Sequence, residues 1–268
     1  MKLREEDLMD ILVGATILGC GGGGSLEEGW KLIKRELKKG RKFRLVDVDD
    51  VPNDKIVASP YYVGSLGGNS KDNLAVKSFI LLEEFIGEKF FGVVSTEMGG
   101  HNTAAALTTA AELGLPLIDA DMAGRAVPEL HHSVYYIRGY NMCPFSVVTA
   151  YEDKIIFSRT RDDLHAEKLV RSIVKVTGAN VGVTSHPIRG KIFKRTIIRN
   201  AISLAMDIGK SVRKAKEEDK NWVLSLLELG GFLLFKGECV YMERREGSGF
   251  TIGEFELQVI EFYLKMRT

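Results

Sequence analysis

The segment from Phe90 to Asp121 restricts the fold more than any other. Phe90-Phe91-Gly92-Val93-Val94 is a buried-type apolar run, and it ends at Ser95-Thr96-Glu97. Met98-Gly99-Gly100 reads as a tight loop. Residues 103–113 then carry small side chains, including Ala104-Ala105-Ala106 and Ala110-Ala111, and Gly114 stops them before Leu117-Ile118. The pattern predicts strand, helix, strand, the unit that builds parallel sheets. Small side chains let such a helix lie close on its sheet. Because both strands run the same way, Glu97 and Asp119 emerge at one carboxyl edge, where α/β sheets hold ligands.

The flanking chain fits an α/β frame. Leu8, Ile11, Leu12, Ala15 and Leu18 keep helical spacing over 5–18, and a second helix is expected over 26–39 with Ser25 as its cap. Strands are expected at 43–48 and 56–63. The segment Gly64 to Ser70 reads as a strand-end loop and 71–86 as a helix. Further on, 133–138 and 145–158 read as strands, with Glu152-Asp153 at a hairpin turn. A helix over 162–177, a strand over 180–184 and one long helix over 194–217 follow. Phe232 to Glu243 and Phe250 to Glu256 close the series as strands. The expected fold is an α/β domain over 1–160, a parallel or mixed sheet with flanking helices. A smaller, β-richer α+β domain over 161–268 follows, and its abrupt end after Lys265-Met266-Arg267-Thr268 suggests that it is incomplete.

Charge removes several function classes. Lys+Arg 37 against Asp+Glu 36 leaves no basic excess for nucleic acid or an anionic membrane. Arg189 to Arg199 and Lys210 to Lys216 are locally basic, but apolar residues between them keep helical spacing. Cys20, Cys143 and Cys239 are isolated and odd in number, which argues for a reducing compartment and no disulfide framework. No leader-like or bilayer-length apolar run occurs, so a cytoplasmic location is expected.

Gly21, Gly22, Gly23 and Gly24 lie between the first two helices. The segment before them is helical, not the strand that a dinucleotide fingerprint needs, and no Lys-Ser/Thr ending makes a phosphate loop. No nucleotide cofactor is expected. Their backbone N–H groups could converge on a carboxylate, phosphate or ring carbonyl, or the run could simply connect two helices.

Asp119, Asp121, Arg125 and Glu129 fall in one short stretch, with Glu97 brought near by topology. Carboxylates at strand ends can act as bases, hold a divalent cation or accept from ring N–H groups. The alternative is a capped turn in which Asp119 or Asp121 caps a short helix and Arg125 pairs with Glu129. A metal is left open, with Asp119, Asp121 and His101 as candidates, although no zinc-type spacing exists. His131 and His132, if in a strand, point to opposite faces. His186 precedes Pro187 at an expected strand end.

Three blocks together resemble one family: Leu18-Gly19-Cys20-Gly21-Gly22-Gly23-Gly24, Glu97-Met98-Gly99-Gly100-His101-Asn102, and Asp119 through Leu130. They look like the S-methyl thiohydantoin desulfurase-like family, also called DUF917, over about residues 8–240. The resemblance implies a two-part protein that removes sulfur from a thiohydantoin-type ring and is associated with hydantoinase/oxoprolinase-type proteins. The expected function is a hydrolase-type enzyme acting on a cyclic amide or thiohydantoin-like ring. The alternative is a ligand-binding partner subunit of a hydantoinase-type enzyme. Expected catalytic groups are Glu97, Asp119 and Asp121. Gly21 to Gly24, Asn102, Arg125 and Glu129 are expected to bind the substrate, and a homo-oligomer is expected.

Overall fold

The structure, a computed structural model, describes residues 1–64, 73–247 and 250–262. The expected loop through Ser70, the start of the helix after it and the last residues of the chain lie outside these. By packing the chain divides into two compact units, Met1–Gly209 and Lys210–Thr268.

In the first unit the order is β1 (Lys2–Leu3), α1 (Glu5–Gly19), α2 (Leu26–Lys38), β2 (Phe43–Val46), β3 (Ile56–Val63), α3 (Leu74–Ile86), β4 (Gly92–Ser95), α4 (Gly100–Leu113) and β5 (Leu117–Asp121). It continues with α5 (Val134–Ile137), β6 (Phe145–Val148), β7 (Lys154–Phe157), α6 (Asp163–Thr177), β8 (Val181–Arg189), α7 (Gly190–Thr196), β9 (Ile198–Arg199) and α8 (Ala201–Glu217), whose C-terminal end passes into the second unit. The rest of the second unit is α9 (Trp222–Leu227) and an antiparallel hairpin of β10 (Phe235–Gly247) and β11 (Phe250–Phe262).

One mixed sheet organises the first unit, in the order β1-β2-β5-β4-β3-β8-β6-β7, with β9 on β5. β2, β5, β4 and β3 are mutually parallel. Antiparallel β8 continues from β3, followed by the β6–β7 hairpin. Both faces are covered, as parallel strands require. Leu8, Ile11, Phe79, Ala104, Leu107 and Leu117 pack on one side. Val57, Val94, Ile118, Tyr135 and Phe193 pack on the other.

The strand–helix–strand unit is present as expected, and α4 owes its position to small residues. A Cβ on Gly29 would run into the Gly100 carbonyl, so α2 and α4 can meet only because Gly29 lacks one. Ser25 Oγ accepts from Glu28 N at 3.1 Å and caps α2.

Three local expectations are overturned. Residues 134–137 are helical, because Ser133 Oγ accepts from Tyr136 N and starts a turn that the β-favouring run Val134-Tyr135-Tyr136-Ile137 disguised as a strand. The long helix over 194–217 is broken at Ile197–Asn200, where Asn200 takes a positive φ of 59° and the Asp119 carbonyl accepts its N–H at 2.9 Å. The strand expected to stop at 184 runs to Arg189. It accommodates Pro187 because the β3–β8 register shifts between Val57 and Ser59.

Candidate functional site

β4 and β5 are parallel neighbours, with Ser95 opposite Asp121. Glu97 and Asp121 therefore come out at one edge, both buried. Glu97 Oε1 accepts from Asn102 Nδ2 at 2.7 Å, and Oε2 accepts from Val127 N at 2.7 Å. Asn102, in the first turn of α4, also accepts from Tyr62 N at 3.0 Å. Its amide thus links β3 to the end of β4. Burial raises the Glu97 pKa, while the Val127 and Asn102 donors hold it down.

Asp121 is placed differently. Its Oδ1 accepts from Ala123 N at 2.7 Å and Gly124 N at 2.5 Å. Its Oδ2 is buried without a partner. Burial pushes its pKa up to about 7, against the two backbone donors and the nearby Ser95 hydroxyl, which lower it; Ser95 Oγ itself donates to Glu97 O at 3.2 Å. Tyr135 OH, also buried and unpartnered, feels the Asp121 charge, and both effects raise the phenol.

A flap from Met122 to Ser133 covers this edge. Four groups tie its backbone down. Asp121 and Glu97 take its N–H groups as above, Glu167 Oε2 accepts from Leu130 N at 2.9 Å, and Arg171 donates to Pro128 O at 3.1 Å. Arg171 also pairs with Glu167 at 2.6 Å, so α6 braces the flap through an ion pair.

Asp119 has another task. Its Oδ1 accepts from Ile202 N at 3.0 Å and Ser203 N at 2.9 Å, and Ser203 Oγ donates to its Oδ2. This carboxylate caps α8, a long helix far along the chain and not the short local helix of the alternative reading. The glycine run is a packing device. Gly23 O accepts both His101 N and Asn102 N at 3.0 Å and so closes the N-terminus of α4. A Cβ on Gly23 would lie 2.6 Å from Gly99 Cα, and one on Gly22 2.6 Å from Ala126 Cβ. The run, the loop before α4 and the flap are in direct contact, and Gly22 N is already taken by Gly19 O at 2.8 Å.

Two family models match this chain: the S-Me-THD-like N-terminal domain over residues 6–159 and the S-Me-THD-like C-terminal domain over residues 161–265. The chain belongs to the S-Me-THD-like family. The second match covers the region that was expected to be an incomplete domain. A crystal structure of a protein from Chromobacterium violaceum shares the fold, with a TM-score of 0.72 and 23% identity over 94% of this chain and 74% of that one. No curated protein matches the chain. No helix among the described residues is long and apolar enough to cross a membrane.

In this S-Me-THD-like chain the two matched regions meet at the flap, since Glu97 and Asp121 belong to the first and Glu167 and Arg171 to the second. Beside them lies a buried polar group that sequence reasoning gathered only in part. His186 Nδ1 sits 2.9 Å from Ser185 Oγ, which is 3.2 Å from Tyr61 OH. The His186 ring stacks on Tyr135 at 5.1 Å, and its unpartnered Nε2 lies 4.0 Å from Asp163 Oδ2, also unpartnered. Burial lowers the His186 pKa to about 3, so the ring is neutral. Only its position before a proline drew attention to His186; Asp163 reads as an ordinary helix-start acid.

The metal candidates are dispersed. The His101 ring packs tilted against Tyr62 with centroids 4.8 Å apart, Asp119 caps α8, and Asp121 lies under the flap. Arg125 is exposed and its Nε donates to Ala126 O at 3.2 Å. Glu129 faces His131 and His132.

Proposed function

We propose that the chain is a hydrolase-type enzyme acting on a thiohydantoin-like or related cyclic amide ring, with Asp121 as the group that moves the proton. The observation that carries this reading is the free, buried Oδ2 of Asp121 at the carboxyl edge of a parallel sheet. One oxygen is fixed by two backbone donors. The other is uncommitted on a carboxyl whose pKa lies near 7, the range that suits a general base at neutral pH. Membership of the S-Me-THD-like family supports a thiohydantoin-related ring.

Hydrolysis of a ring thiocarbonyl needs water to add at the carbon that bears sulfur. Asp121 accepts the water proton as the C–O bond forms. It returns that proton to sulfur, and the second water proton, on the new hydroxyl, passes through the same carboxyl to sulfur as the C–S bond breaks, so that hydrogen sulfide leaves and the ring keeps a carbonyl. Glu97 keeps Asn102 and the flap in place and adds negative charge that holds the Asp121 proton affinity up. In this reading Arg125, exposed on the flap, takes a substrate carboxylate. Exposed apolar residues on the β10–β11 hairpin, such as Met242, Phe255 and Ile260, support a homo-oligomer.

The test is sulfide release from 2-thiohydantoins together with calorimetric binding. Wild type is expected to turn the ring over, and Asp121→Asn to bind it with turnover reduced by about 10²–10⁴-fold. Full turnover by Asp121→Asn overturns the assignment. Binding without product in wild type favours the partner-subunit reading.

A further inference from the structure

A second cluster lies on the flap, apart from the Asp121 carboxyl. Glu129 to His132 is a reverse turn, with His132 N donating to Glu129 O at 3.1 Å. The turn overrides the strand geometry that would have sent neighbouring histidines to opposite faces. Instead the two rings stand 4.2 Å apart and both face one carboxylate. Glu129 Oε2 lies 3.5 Å from His131 Nε2 and 3.8 Å from His132 Nε2.

These separations are too long for hydrogen bonds, which lie at about 2.7–3.2 Å. They are close to the distance of about 3.3 Å between two ligands on a tetrahedral ion with bonds of about 2.0–2.1 Å. One ligand atom from each residue fits within a 4.8 Å span, and this is the single such group among the described residues. His131 adds an independent sign, because its Nδ1 is buried without a partner while its Nε2 is turned toward the carboxylate. The side chains are 15%, 38% and 44% exposed for His131, Glu129 and His132, so an ion can enter from solvent.

We propose that Glu129, His131 and His132 form a binding site for one divalent transition-metal ion of the zinc class, with a fourth position open to water or ligand. Two imidazoles and one carboxylate suit zinc, cobalt(II) and nickel better than magnesium or calcium, which prefer all-oxygen shells. The site does not depend on the proposed hydrolase reading. It lies on the segment that covers Asp121, so an ion there would stiffen the turn that contains Leu130, the residue anchored by Glu167.

The test uses the full chain, stripped with a chelator. It is titrated with Zn²⁺ alone by calorimetry and with Co²⁺ alone by visible absorption. One equivalent of each is expected, with cobalt bands of a four- or five-coordinate ion. His132→Gln, at the most exposed ligand, is expected to weaken binding roughly tenfold or more, and His131→Gln with His132→Gln together to abolish the cobalt bands. His101→Gln and Asp121→Asn, each with an unchanged far-ultraviolet spectrum, are expected to bind as wild type does, which separates this site from the proton-transfer assignment. No saturable binding by wild type, or one equivalent retained by the double variant, overturns the proposal.

Discussion

The side-chain amide of Asn102 donates to Glu97 Oε1 at 2.7 Å, joining the first turn of α4 to the end of β4. The same side chain takes the Tyr62 N–H, where β3 has run beyond its short pairing with β4. One residue therefore satisfies a backbone donor and fixes a buried carboxylate. Asn102→Ala is expected to cost about 2 kcal/mol by chemical denaturation, because it leaves both groups without this partner. Asn102→Asp, which sets a second acid against Glu97, is expected to be the worse of the two above neutral pH.

Asp119 is expected to matter for folding more than for chemistry. Asp119→Ala removes three acceptor contacts at the start of α8, a loss of about 2 kcal/mol in stability. Thermal unfolding measures the loss. Retained sulfide release per folded molecule would mark Asp119 as a cap.

The glycine run gives a graded series. Gly21 has φ +92° with nothing close to an added Cβ, so Gly21→Ala is expected to cost only about 1–2 kcal/mol of backbone strain. Gly23 also has positive φ and an added Cβ meets the Gly99 backbone. Gly23→Ala is therefore expected to cost several kcal/mol more, or to prevent folding, because two backbones must separate. Denaturant midpoints of the two variants should differ in that order.

The frame of this arrangement can be read in the sequence, because it rests on local signals. The apolar runs at β4 and β5 and the small residues of α4 dictate a parallel unit; that reading brings Glu97 and Asp119 to one edge, whereas the structure sets Asp121 at the edge with Glu97 and turns Asp119 to α8. The glycine run hints at close approach but does not name its neighbour, Gly99. What resists reading is contact across long stretches of chain. Asp119 caps a helix that begins at Ala201, and nothing near either residue announces the other. The turn at Glu129–His132 is hidden by the β-favouring run Val134 to Ile137 just beyond it. The register shift that seats His186 and Pro187 inside β8 depends on the partner strand. The buried polar group is therefore assembled by tertiary structure alone.

Stability should depend on pH through two opposed groups. Asp121 carries a folded-state pKa of about 7 against an unfolded value of 3.8. The folded chain thus binds the extra proton between these values, and the contribution favours folding at low pH and is lost as pH rises through about 7. His186 falls from 6.5 to about 3 on folding. Its unfolded form binds the extra proton, so stability is lost as pH falls below about 6.5. Asp121→Asn keeps the Oδ1 acceptor and removes the buried charge. It is expected to be more stable than wild type at pH 8 and nearly equal at pH 4, by urea denaturation at both values.

The most direct measurement is the pH dependence of kcat/KM for sulfide release from a 2-thiohydantoin. With Asp121 as the base, the rate should rise with pH through an apparent pKa near 7 in wild type, and Asp121→Asn should lose both the rate and that inflection. An Asp121→Asn variant that retains the wild-type profile would contradict the account.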